Sequence, residues 1–72
     1  MQNIPNENIL RLRTVLARTG LTRSMAYALL KEGRFPKPIN LGARAVGWLE
    51  SEIDGWIAER VQASRSPRAN AV

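Results

Sequence analysis

Apolar residues recur along this chain in more than one rhythm. In "ILRLR", residues 9–13, they alternate with basic ones, the period of a short strand. From Thr14, "TVLARTG" predicts a helical segment with Val15, Leu16 and Ala17 as its apolar face and Gly20 as its C-terminal cap. A second helix, "TRSMAYALLKEG", opens at Thr22 or Arg23, with the Thr22 hydroxyl placed to accept a backbone N–H. Ala26, Leu29 and Leu30 follow the i, i+3, i+4 spacing and are expected to face a core; Arg23, Ser24, Tyr27 and Lys31 fall on or near the other side. Gly33 stops this helix, and Pro36 and Pro38 prevent its resumption.

Beyond Pro38, "INLGARAVGW" reads as two short strands around a turn at Gly42, Ala43 and Arg44, with Ile39, Leu41 and Val46 as the apolar strand positions. Residues 49–63, "LESEIDGWIAERVQA", form the clearest amphipathic helix, with a stripe of Leu49, Ile53, Trp56, Ile57 and Val61. Glu50, Glu52 and Asp54 crowd its first turns, where the helix dipole favours anions, and Arg60 lies towards the other end. The order is strand, helix, turn, helix, hairpin, helix. It predicts a mainly α chain with a small β-hairpin: a winged helix-turn-helix of three helices plus a short antiparallel sheet. The domain is expected over residues 9–63, between a flexible N-terminus (1–8) and a flexible basic tail (64–72).

Composition narrows the chemistry. Seventy-two residues make one small domain, and no cysteine or histidine is present. Disulfides and thiolate metal sites are therefore excluded, and any metal site would rest on the six carboxylates alone. No apolar run approaches the roughly 20 residues of a membrane span, and "MQNIPNENILRLR" lacks the basic-then-apolar layout of a signal peptide. A soluble, cytoplasmic protein is expected, nucleoid-associated if it holds DNA. The net charge is +5 and the pI near 11.2, unevenly spread. Residues 1–47 carry eight Lys/Arg against two acids, residues 48–59 four acids and no base, and three arginines follow. A basic body beside one acidic helix suits a phosphate-facing surface, or simply a solvated one.

Two short helices joined by a three-residue, glycine-containing turn fit the DNA-binding helix-turn-helix, whose second helix enters the major groove by its N-terminal residues. Those residues here are Thr22, Arg23 and Ser24, followed by Tyr27 and Lys31. Arginine can hold guanine through two hydrogen bonds, serine bonds several base edges or phosphate, and lysine favours phosphate. Lys37 is a further candidate for phosphate, and Arg44 for contact from the tip of the hairpin, the wing. Trp48 and Trp56 could stack on single-stranded bases, but their place beside the last helix's stripe favours core packing. Glu50, Glu52, Asp54 and Glu59 read as a helix face turned from DNA rather than a carboxylate site.

Residues 11–60 resemble the AlpA family of small prophage regulators, related to excisionases and the MerR-like winged helices. The resemblance rests on "TGL.RS..Y" (Thr19 to Tyr27), "KEGRFP.P" (Lys31 to Pro38) and "W...E...W" (Trp48 to Trp56). It implies that the helix carrying Arg23, Ser24 and Tyr27 reads DNA and that the hairpin bearing Arg44 is the wing. Two positions depart from the family's pattern: Ala26 stands where a larger aliphatic is common, and Ala28 where arginine often follows Tyr27. The expected function is sequence-specific binding of double-stranded DNA as a transcriptional regulator of a prophage or mobile element. An excisionase working with an integrase is the alternative within DNA binding, and a protein-interaction module the alternative outside it. Implied partners are double-stranded DNA, RNA polymerase or integrase, and further copies of the chain on adjacent sites. No enzyme activity, cofactor, small-molecule ligand or membrane contact is expected.

Overall fold

The computed structural model describes residues 7–65. Its elements run β1 (Ile9–Leu10), α1 (Leu12–Thr19), α2 (Arg23–Lys31), β2 (Ile39–Asn40), β3 (Val46–Leu49) and α3 (Glu50–Arg65). Three helices thus accompany one three-stranded antiparallel sheet of order β1-β3-β2. In its register Ile9 faces Leu49, Leu10 faces Trp48 and Ile39 faces Gly47. This is the expected α+β, winged-helix-like architecture.

The expected strand at 9–13 is shorter than its alternation suggested, and α1 begins at Leu12 rather than Thr14. Leu12, Val15, Leu16 and Thr19 share the helical i, i+3, i+4, i+7 spacing, and these are the positions α1 shields from solvent. Ala17, adjacent to Val15 and Leu16 but a full sector round the helix, is exposed. α1 ends on Gly20 at φ 78, whose N–H bonds the Leu16 carbonyl at 2.8 Å, an αL cap that L side chains resist. α2 ends in a Schellman motif around Gly33 (φ 72): Arg34 N–H bonds the Leu29 carbonyl at 2.8 Å, and Gly33 N–H that of Leu30 at 3.0 Å.

The core is built from Val15, Phe35, Trp48 and Ile53, with Leu10, Leu12, Leu21, Leu29, Leu30, Trp56 and Ile57 packed against it. Phe35 packs edge-on to both tryptophans, with ring centroids 6.4 Å from Trp48 and 5.0 Å from Trp56. Trp48 is buried and Trp56 half-buried, so both pack as expected. Of the expected apolar strand positions, Ile39 lies in β2 and Val46 in β3, whereas Leu41 falls just past the two-residue β2; both Leu41 and Val46 are exposed. The apolar stripe of the last helix also shortens: Leu49 belongs to β3, and Val61 is 40% exposed beyond the core's edge.

The chain ends expected to be loose, 1–8 and 64–72, lie mostly outside the described residues. Of the described part, Ser64 and Arg65 continue α3, and Glu7 and Asn8 bond to its start. The Glu7 carboxylate accepts from Ser51 N–H at 3.3 Å and from its hydroxyl at 3.1 Å. Glu50 N–H bonds the Asn8 carbonyl at 2.8 Å, and the Asn8 amide bonds the Glu50 carboxylate at 2.9 Å. Arg18 of α1 bridges two acids of α3, Glu50 at 3.2 Å and Asp54. The acidic first turns of α3 are thus tied to the rest of the fold.

Two glycines make opposite predictions. A Cβ on Gly47 would lie 2.5 Å from Ile9 Cγ2, 3.0 Å from the Leu10 carbonyl oxygen and 3.1 Å from Leu41 Cδ1. Gly47→Ala should therefore destabilise the fold by about 1–3 kcal/mol through overpacking. Gly55 faces an open groove of about 780 Å³ between α3 and residues 33–37, with no atom within 4 Å of an added Cβ. Gly55→Ala should stabilise by about 1 kcal/mol, the helix-propensity difference. Urea unfolding of the two variants checks this, and shifts of the same sign would contradict it.

Candidate nucleic-acid interface

The turn between α1 and α2 is fixed by local chemistry. The Thr19 hydroxyl donates to the Val15 carbonyl at 2.8 Å and accepts from Leu21 N–H at 3.3 Å. One step further, the Thr22 hydroxyl oxygen accepts from Met25 N–H at 3.1 Å, capping α2 as its sequence predicted. Both helices are thereby held across the three residues Gly20, Leu21 and Thr22.

Packing then decides which side of α2 meets solvent. Ala26 is buried, and Leu29 and Leu30 lean on the core. The helix turns about 100° per residue, which sets Ser24, Ala28 and Lys31 opposite that inward trio. Tyr27 flanks this outer face on one side and Met25 on the other. Arg23, seven residues before Leu30 and so nearer the inward side, is exposed because it is the first residue of the helix. All are exposed, Tyr27 by 48% and Met25 by 50%. No acid stands in the first turn of α2. Its uncapped N–H groups, the dipole and Arg23 together make a positive end able to hold an anion.

Each residue expected at the interface is exposed: Thr22, Arg23, Ser24, Tyr27 and Lys31 on or at α2, Lys37 between α2 and β2, and Arg44 in the β2–β3 turn. That turn is shaped by the Asn40 side chain, which accepts from Gly42 N–H at 3.0 Å, and closed by a 2.7 Å bond from Leu41 N–H to the Ala45 carbonyl. Met25, not among the residues expected at the interface, is exposed beside them on α2.

Charge pairing sorts the remaining cations. Arg11 donates to the Val46 carbonyl at 3.0 Å, Arg18 holds α3, Arg34 pairs with Glu32 at 3.4 Å, and Arg60 lies 5.4 Å from the Trp56 ring centre. Among the described residues outside α3, the side chains of Arg13, Arg23, Lys31, Lys37 and Arg44 have neither an ion pair nor a hydrogen bond. The described residues contain no group of three or more acids placed to hold a metal ion, and no helix long and apolar enough to cross a membrane.

A tight helix-turn-helix, a hairpin beside it and an outward polar, basic helix face define a small winged-helix-like binding domain. The chain belongs to the Phage_AlpA family, described as "Prophage CP4-57 regulatory protein (AlpA)", which matches residues 8–61. It is 39% identical over 61 residues to the uncharacterized protein ORF88 of Enterobacteria phage P4, covering 85% of this chain and 69% of that protein. It is also 39% identical over 66 residues to the DNA-binding transcriptional activator AlpA of Escherichia coli strain K12, covering 83% of this chain and 94% of the relative. No solved structure matches.

Proposed function

We propose that this chain is a sequence-specific double-stranded-DNA-binding regulator of prophage transcription, acting in the cytoplasm and without catalysis of its own. The observation that carries the reading is the exposed polar side of α2: Ser24, Tyr27 and Lys31 turned to solvent by the inward packing of Ala26, Leu29 and Leu30, with Arg23 exposed at the first residue of the helix. The relative named as a DNA-binding transcriptional activator supports the same conclusion.

In this reading α2 enters the major groove with its N-terminus foremost. Arg23 and Ser24 meet base edges, Tyr27 and Lys31 lie nearer the backbone, and the Thr22 hydroxyl can still donate its own proton to a phosphate. Met25 supplies an apolar surface of the kind that packs on a thymine methyl. Lys37 and the wing residue Arg44 follow the adjacent backbone or minor groove. A module with so few base contacts gains affinity from several copies on neighbouring sites, and it regulates by occupancy or by touching RNA polymerase or an integrase.

The two cationic arms have separable effects. Arg23→Ala should weaken the preferred sequence by about 1–3 kcal/mol and narrow its margin over unrelated DNA. Arg44→Ala should weaken all sequences alike and lower the salt slope by about 1. Titrating both variants against a selected duplex and a scrambled one separates these roles; identical profiles would refute the division between helix and wing.

A further inference from the structure

The segment joining α2 to β2 has no regular structure, yet it sets where the hairpin stands relative to the outward helix face. It is gripped at three successive residues. Trp56 of α3 donates its indole N–H to the Arg34 carbonyl at 3.0 Å, and Trp48 of β3 donates its own to the Pro36 carbonyl at 2.9 Å. Between these carbonyls the Phe35 ring is buried edge-on to both indoles. Lys37 follows directly, and Gly33, one residue before, closes the C-terminal motif of α2.

We propose that Trp48 and Trp56 are positioning residues of the DNA interface, their paired indole N–H groups fixing the spacing between the α2 face and the wing. The inference rests on the DNA-binding reading above. Apolar packing alone would tolerate small sliding of this segment, since dispersion contacts have no direction. Two hydrogen bonds from separate elements to carbonyls two residues apart remove that freedom. Arg23 and Arg44 then arrive at one duplex already spaced, and the entropy of ordering the wing is not lost on binding. Trp56 is the better test position, because it is half-buried where Trp48 is fully enclosed.

The experiment uses the full chain made by chemical synthesis, with the Trp56 indole replaced by benzothiophene, which keeps the shape and lacks the N–H. The probe is the duplex that the wild-type chain enriches from a random-sequence pool at low salt. The variant should keep its far-UV circular dichroism yet bind this duplex about tenfold more weakly, the loss expected for one neutral hydrogen bond. The decisive readout is coupling, which a merely structural role would not move. The penalty of Arg44→Ala, about tenfold in the wild type, should shrink to about twofold in the benzothiophene variant, because a wing that is no longer held in register contributes less. A folded variant with unchanged affinity and an unchanged Arg44 penalty overturns the proposal. Should that variant fail to fold, hydrogen exchange at the Trp56 indole of the wild-type complex decides: slow exchange supports the clamp, and exchange as fast as free indole refutes it. A wild-type chain that enriches no duplex overturns the DNA-binding reading and this inference with it, whereas binding without coupling overturns this inference alone.

Discussion

Raising salt from about 50 to about 200 mM is expected to weaken binding of double-stranded DNA about 500-fold. The figure follows from the five cations outside α3 whose side chains have neither an ion pair nor a hydrogen bond among the described residues, Arg13, Arg23, Lys31, Lys37 and Arg44. Each phosphate neutralised releases counterions and contributes about −0.9 to the slope of log K against log salt, so five give a slope near −4.5. Arginines engaged within the fold add little: Arg18 already serves Glu50 and Asp54, and Arg34 serves Glu32. Fluorescence anisotropy across a salt series measures the slope. A flat line would remove the phosphate contacts from the account, and a slope far steeper than −4.5 would mean that several copies bind together.

The second large effect concerns stability. Ile53→Ala should cost about 2–5 kcal/mol, since Ile53 is 0% exposed at the centre of the core and leaves a cavity that its neighbours only partly fill. A chain this small has a total stability on the order of 4–10 kcal/mol, so the variant is expected to lose about 15 °C or more in Tm. Val61→Ala, in the same sequence stripe but 40% exposed, should stay within about 0.5 kcal/mol of the parent. Thermal unfolding of the pair tests where the core ends. Equal losses would mean that the end of α3 packs against something further.

That contrast shows how the sequence was informative and where it stopped. α2 was legible because everything that defines it is local: Thr22 and Gly33 mark its ends, and Ala26, Leu29 and Leu30 orient it. The outward positions of Ser24, Tyr27 and Lys31 followed without further information. The beginning of α1 was misread because "ILRLR" satisfies a strand's period as well as the first turn of a helix; only packing of Leu12 chooses between them. Phe35 has no periodic neighbours to announce it, and it enters the core from a loop between a glycine and two prolines. Gly47 reads as a weak strand residue until Ile9 and Leu41 are seen to close over it. The partners of Arg18 lie 32 and 36 residues away, beyond any spacing rule.

The tie between Asn8 and Glu50 spans 42 residues, and β1 completes its pairing only with β3. During synthesis, therefore, the helix-turn-helix emerges before the strand and helix that cover Val15 and Phe35 exist. Until α3 has emerged, the apolar side of the helix-turn-helix is expected to stay open to chaperones and proteases, since small domains condense as units rather than piecemeal. A chain truncated before α3 is therefore expected to leave Val15 and Phe35 uncovered and to be proteolysed faster than one that contains it.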